Sequence, residues 1–332
     1  MGQHKILKLL LLIVVIFFLA SFIFDRPAKN ITYGVSFSKF HADELNLDWK
    51  KVYLALLDDL KVRNFRFSAH WPNTEPQEGK FNFSELDFQM KEAQRRGASV
   101  ILAVGRRLPG WPECHNPGWL AGKDVKYQNE KLLDYTSTTV NHFKSYNNIR
   151  YWQVENEPFL GFFGRSHCDP LDESFLKQEV ALVKKLDPNR QVLVTDSGEF
   201  GTWYHAYQNG DIFGTSMYLY VWNRVIGPMR YPITPLFFRV KKTIVELFYG
   251  SKPSILIELS SEPWLLHPIV DTEMTILLDR MGIDKFNNMI DFATKTGFQN
   301  QYLWGAEWWY WMKAQGHPEY WSRAKQLFQT QN

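Results

Sequence analysis

The chain has 332 residues, 45% of them hydrophobic and 16% aromatic, enough for a large core and for either one (β/α) barrel or two ordinary domains. With 38 basic against 35 acidic residues the net charge is +3, and no basic block or Arg-rich run marks a nucleic-acid surface. The 13 tryptophans fit a carbohydrate binder, because indole faces pack on the apolar faces of sugars, and fit a merely aromatic core equally well.

The first 30 residues differ from the rest. Lys5 and Lys8 precede LLLLIVVIFFLASFIF, residues 9–24, which carries no charge. As a helix this run is about 24 Å long, short of a hydrocarbon core of about 30 Å, and Ile6 and Leu7 extend it if Lys8 snorkels to the headgroups. Ala20 followed by Ser21, Phe22 and Ile23 makes a poor small-x-small cleavage site. The expectation is an uncleaved signal anchor, a membrane helix over 1–30, with a cleaved signal peptide as the alternative. Either way the remainder, 31–332, lies outside the cytoplasm.

From there strand-like and helix-like stretches alternate. The strand candidates are ITYGVSF (31–37), NFRFSA (64–69), SVILAV (99–104), IRYWQVE (149–155), QVLVTD (191–196), DIFGTSMY (211–218), SILIEL (254–259) and NQYLWG (300–305). Between them lie helical patterns. DWKKVYLALLDDLKV carries an apolar face of Val52, Leu54, Leu56, Leu57 and Leu60, and SELDFQMKEAQRRG opens on a Ser cap and closes on Gly. No Gly/Ser/Pro-rich linker or repeat divides the chain. Eight strands alternating with helices suit a (β/α)8 barrel or a doubly wound sheet, and the lack of a glycine-rich phosphate loop favours the barrel, as one α/β domain. That lack also counts against a nucleotide-using enzyme.

In a barrel the active site lies where strands end. The fourth strand ends in Glu-Asn-Glu-Pro (155–158), with Pro158 turning the chain out of the strand. The seventh, SILIEL, carries Glu258 near its end. An ionised carboxylate on a buried strand is costly without a partner. Two carboxylates from different strands at one mouth are what glycoside hydrolysis requires, one as acid and base and the other as nucleophile or as base for water. Strand parity is the same for Glu155 and Glu157 and cannot choose between them.

Asn-Glu-Pro at the end of strand four, with a lone strand-end Glu on strand seven, resembles the clan A glycoside hydrolases, the (β/α)8 retaining enzymes that include cellulase-type and β-galactosidase-type families. The resemblance covers most of residues 31–325. It implies Glu157 as acid/base and Glu258 as nucleophile, with Asn156 hydrogen bonding the 2-hydroxyl of the sugar at the cleavage point. It implies further that Arg66 in NFRFSAHW holds and orients the nucleophile, that Tyr218 donates to it, and that Trp304 in YLWGAEWWYW floors the sugar site. Tyr220 shares the parity of Tyr218, and Trp308 and Trp309 compete with Trp304. Trp71, Trp111, Trp119, Trp222 and Trp264 follow strand ends and are divided between a glycan groove and plain packing, with Trp71 and Trp264 the chosen glycan contacts. His70 and His115 are candidates for hydrogen bonds to sugar or nucleophile. Glu262 and Glu307 read as sugar-hydroxyl acceptors or salt-bridge members. No His/Cys/Asp cluster has metal-ligand spacing, and the mechanism needs no cofactor.

Cys114 and Cys168 fall in the loops after strands three and four, on one face of a barrel, so a disulfide is expected there. Arg106 and Arg107 after SVILAV raise the expectation of an anionic glycan. The leading function is a glycosidase on poly- or oligosaccharide near a cell envelope. The alternatives are a transglycosylase of the same mechanism and an inactive glycan-binding barrel.

Overall fold

The computed structural model describes residues 27–161 and 171–329, together with Lys8. Eight parallel strands close a barrel: β1 (Thr32–Ser36), β2 (Asn64–Ser68), β3 (Ser99–Val104), β4 (Ile149–Val154), β5 (Val192–Asp196), β6 (Ile212–Met217), β7 (Ser254–Ser260) and β8 (Asn300–Trp304), each beside the next and β8 beside β1. Each expected strand is present to within one residue at either end. Between and after the strands lie helices α1 (Trp49–Asp58), α2 (Ser84–Arg95), α3 (Val125–Phe143), α4 (Glu173–Leu186), α5 (Tyr204–Asn209), α6 (Pro235–Tyr249), α7 (Ile283–Thr294) and α8 (Glu319–Gln329), of which α1 and α2 are those expected from DWKKVYLALLDDLKV and SELDFQMKEAQRRG. A hairpin, Tyr220–Asn223 with Gly227–Arg230, is inserted between β6 and α6.

The apolar runs are continuous because both faces of each strand are covered. One set of side chains packs under the helices. The other fills the lumen: Ile101, Leu193, Ile212, Ile255, Ile257 and Tyr302 form a separate cluster with Tyr151 against it. The Tyr302 ring crosses the lumen so closely that a Cβ at Gly34 would lie 2.6 Å from it, hence the glycine in β1. Aspartates cap three helices: Asp48, Asp124 and Asp172 accept backbone N–H groups at the starts of α1, α3 and α4. Ser84 is not the cap of α2. It is the first helical residue, its N–H bonded to Asn82 Oδ1 at 3.1 Å, while Gly97 ends the helix at φ 66° as its position suggests.

The expected membrane helix within 1–30 falls on residues outside those described, as does Cys168. Among the described residues no helix is long and apolar enough to cross a membrane.

Candidate active site

At the C-terminal ends of the strands the lumen turns from apolar to ionic. Arg66 projects from β2 and is 1% exposed. Its Nε donates to Gln153 Oε1 at 2.8 Å, one terminal nitrogen to Glu258 Oε1 at 2.5 Å and the other to Asn156 Oδ1 at 2.7 Å. One planar guanidinium therefore ties β2, β4 and β7 together through charge-assisted bonds. Tyr218, just past β6, donates to the other oxygen of Glu258 at 2.9 Å. Tyr220 instead donates to Asn288 at 3.0 Å, so of the two tyrosines it is Tyr218 that the structure sets on Glu258.

Glu258 reaches this place through a break in β7. Ile255 and Ile257 both face the lumen and Leu256 and Leu259 the helix layer, so strict alternation would turn Glu258 outward. The pairing with β6 slips between Thr215 and Ser216, which oppose Leu256 and Glu258. This bulge re-aims the carboxylate to the mouth.

On β4 a different device separates the two glutamates. Tyr151 and Gln153 face inward, and alternation would send Glu155 the same way. Glu155 instead has φ 58° and Glu157 φ 46°. The left-handed turn sends the Glu155 carboxylate into the wall, where it accepts from the backbone N–H groups of Arg106 at 3.0 Å and Arg107 at 2.5 Å. It lies against Glu179 of α4, also fully buried: burial pushes both carboxyls up, the Glu155 charge adds to the rise at Glu179, and the Arg106 charge and the bond with Glu179 act to lower Glu155. Gly105 is required by this arrangement, since a Cβ there would sit 2.5 Å from the Glu155 carboxyl carbon.

Glu157 points to the mouth. Ser216 Oγ donates to its Oε1 at 2.6 Å, and its own N–H donates to Thr195 Oγ1 at 2.9 Å. Ser216 is the register partner of Glu258 on the neighbouring strand, and paired strands lie about 4.8 Å apart. The two carboxyl groups are thus separated by one hydrogen-bonded residue. Burial first and the Glu258 charge second hold the Glu157 carboxyl well above its usual range, against the Ser216 bond, which lowers it.

A third carboxyl completes the mouth. Glu113, in the loop after β3, accepts from Asn156 Nδ2 at 3.1 Å. Burial, then the Glu258 charge, pushes it up to about 8. The sequence reading passed over Glu113 because a loop has no periodicity to mark it. Ser216, Thr195 and Gln153 were missed too; their only signal is a polar side chain in an otherwise apolar strand.

The aromatic expectations divide. Trp264 meets the Tyr218 ring edge-on at 5.2 Å, beside Glu258. Trp304 ends β8 nearly buried, its indole donating to Glu262 at 2.7 Å and stacked on His41. Trp308 and Trp309 are buried in the core. Trp71 is not a glycan contact: it is fully buried, stacked on Tyr135 and bonded to Glu75 at 2.7 Å. It follows β2 at the start of a short helix, which folds it under the loop. His70 and His115 bond backbone carbonyls, and burial brings His70 down to about 3, a neutral packing pair with rings 4.4 Å apart. Glu262 proves a salt-bridge member, 2.6 Å from His41, and Glu307 accepts from Ser38 N–H. Arg107 is buried with one guanidinium nitrogen on Leu160 O at 3.3 Å and its charge acting on Glu113, whereas the Arg106 charge lies by Glu155. Cys114 is buried and is not a free thiol. Among the described residues no group of His, Cys, Asp and Glu is arranged to hold a metal ion.

A family model described as beta-galactosidase, glycoside hydrolase family 42, matches residues 48–187. An endo-1,4-beta-xylanase of Agaricus bisporus is 27% identical over 145 residues, 41% of this chain and 40% of that protein. Among solved structures, an exo-beta-1,4-mannosidase from Opitutaceae bacterium strain TAV5 superposes with TM-score 0.56 at 16% identity, over 82% of this chain and 51% of that one. The beta-galactosidase of Rahnella sp. R3 gives 0.60 at 11%, over 92% and 56%, and xylanase 10B of Thermotoga petrophila RKU-1 gives 0.55 at 14%, over 83% and 82%. These structural likenesses concern the barrel.

Proposed function

We propose that the chain is a clan A (β/α)8 glycoside hydrolase that cleaves β-glycosidic bonds of a poly- or oligosaccharide by double displacement, with Glu157 as acid/base and Glu258 as nucleophile. The observation that carries this reading is Ser216, bonded to Glu157 and paired in register with Glu258. It sets two carboxyl groups at one mouth in opposite electrostatic settings, one neutralised by Arg66 and one raised by burial and a neighbouring charge.

In the first step Glu157 gives its proton to the leaving oxygen while Glu258 attacks the anomeric carbon. The Glu258 charge then disappears into an ester, the field on Glu157 falls, and Glu157 becomes the base that activates water. Arg66 and Tyr218 hold the attacking carboxylate in line, and Asn156, fixed by Arg66, presents its amide to the 2-hydroxyl. The Trp264 and Trp304 rings supply apolar surface for the sugar. Resolution of the same ester by a sugar hydroxyl would make the enzyme a transglycosylase, which added acceptor sugar distinguishes.

Proton NMR of a 4-nitrophenyl β-glycoside panel tests the proposal. The β-anomer should appear first. First appearance of the α-anomer would place water between the carboxyl groups and make the enzyme inverting. An extracytoplasmic location belongs to the same proposal, supported by the charge-free run 9–24 after Lys5 and Lys8 and by the bound state of Cys114, whose partner we take to be Cys168. Two free thiols in protein denatured without reductant would refute that pairing.

A further inference from the structure

We propose that Glu113 is a substrate-binding residue that reads the 2-position of the sugar being cleaved, committing the site to glycosides with a free 2-hydroxyl. The inference rests on the function proposed above. It begins from Asn156, whose carbonyl oxygen is occupied in the free protein and whose amide nitrogen has one of its two N–H groups on Glu113. Its carbonyl oxygen accepts from Arg66 at 2.7 Å and Thr195 at 3.2 Å, and its amide nitrogen donates to Glu113 Oε2 at 3.1 Å. A sugar hydroxyl approaching Asn156 therefore meets a donor and an acceptor side by side. A hydroxyl accepts one hydrogen bond and donates another, so it bridges the amide nitrogen and the carboxyl oxygen.

The position follows from chemistry. Glu157 and Glu258 bracket the anomeric carbon, and the Glu113 charge acts on Glu157 and on Tyr218 as well as interacting with Glu258, so it borders the same space. Two groups flank an anomeric carbon, the ring oxygen and C2. The ring oxygen only accepts, and it becomes a poor acceptor even for a protonated carboxyl as positive charge develops on the ring. The 2-hydroxyl donates, and its donation strengthens as positive charge develops on the ring. Once Glu258 is esterified its charge no longer opposes that of Glu113, so the acceptor is strongest when the ring is most electron-poor. The backbone is set for this role: Glu113 has φ 67°, its N–H tied to Gly110 O at 2.7 Å, strain of the kind that accompanies binding sites. Unlike Glu155 it is only half-buried, open to the mouth.

The test crosses enzyme variants with substrates. Wild type, Glu113→Gln and Glu113→Asp are assayed on the 4-nitrophenyl β-glycoside turned over best, on its 2-deoxy analogue and on its 2-acetamido analogue. In wild type, kcat/KM should fall about 10- to 100-fold or more from 2-hydroxy to 2-deoxy, as for loss of a bond to a charged group. In Glu113→Gln that ratio should shrink at least tenfold, whatever common change in rate the two substrates share. Equal losses on both substrates, in both variants, would overturn the inference, since a merely structural role does not distinguish them. So would comparable wild-type turnover of the 2-acetamido compound. Turnover with retention but no shift in the ratio defeats the role of Glu113 alone, whereas a wild type inactive on every β-glycoside defeats the proposed function and this inference with it.

Discussion

Ser216→Ala probes the acid/base directly. Ser216 donates to Glu157 Oε1 at 2.6 Å, and that bond favours the ionised form, lowering a carboxyl that burial and Glu258 push up. A hydrogen bond to a charged group contributes about 1.5–3 kcal/mol, and one pKa unit corresponds to about 1.36 kcal/mol. Its removal should therefore raise the Glu157 pKa by about one to two units. The basic limb of kcat/KM against pH, which reports the proton on the free enzyme's acid, should move up by that amount. The step that needs Glu157 ionised should slow at neutral pH, accumulating glycosyl-enzyme in a rapid-quench assay. Glu113 titrates in the same field, pushed up to about 8, so the limb belongs to a coupled set. The profile is repeated in Glu113→Gln, where the shift caused by Ser216→Ala should persist. A limb that stays put or moves down in Ser216→Ala would refute the assignment of Glu157 as the acid.

Glu258→Ala should cut kcat by at least about 10³-fold, and added azide should restore turnover as an α-glycosyl azide identified by NMR; unchanged glycan turnover would remove Glu258 from the mechanism. Gly105→Ala should destabilise the fold by about 1–3 kcal/mol, because its Cβ would meet the Glu155 carboxyl at φ 132°, read as a lower chemical-denaturation midpoint. Glu179→Gln tests the buried pair in the wall. A carboxyl whose folded pKa is raised binds more protons folded than unfolded, so its contribution to stability falls as pH rises above the unfolded value of about 4.5. The midpoint of Glu179→Gln relative to wild type should accordingly improve from pH 5 to pH 8; a constant difference would mean that Glu179 does not change protonation on folding.

The barrel was legible because parallel strands covered on both faces write themselves as apolar runs, and eight such runs survive any reasonable choice of ends. Glu258 was legible as a candidate for a related reason: a carboxylate in SILIEL has no cheap structural explanation. What parity could not show was where a strand departs from parity. Glu258 faces the mouth because β7 carries a bulge, and Glu155 leaves it because of a left-handed backbone; neither leaves a period in the sequence. Trp71 failed for the opposite reason. Following a strand end locates a residue near the mouth but does not say whether a short helix will fold it beneath the loop. Arg106 and Arg107 read alike in sequence, and only the fold separates them, the Arg106 charge beside the Glu155–Glu179 pair and that of Arg107 beside Glu113.

The departures from regularity share one function. Among the seven described non-glycine residues with positive φ, three are Glu113, Glu155 and Glu157. Each such conformation costs about 1–3 kcal/mol and persists only where its surroundings over-determine it. Here the backbone N–H groups do so, Glu157 to Thr195, Glu155 to Val104 O and Glu113 to Gly110 O. A regular strand would point Glu155 and Glu157 the same way, adding another carboxylate to a mouth that already holds Glu113, Glu157 and Glu258. The left-handed turn instead sends Glu155 into the wall, where two backbone N–H groups receive it. In that position it clamps the start of the β3 loop, at Arg106 and Arg107, and that loop delivers Glu113. The wall glutamate is thus a positioning residue for the rim. Glu155→Gln, which keeps an oxygen for one N–H but abolishes the charge, should leave the pH limb of Glu157 in place while weakening discrimination at the 2-position. A changed limb with discrimination intact would mean that Glu155 acts on the acid rather than on the loop.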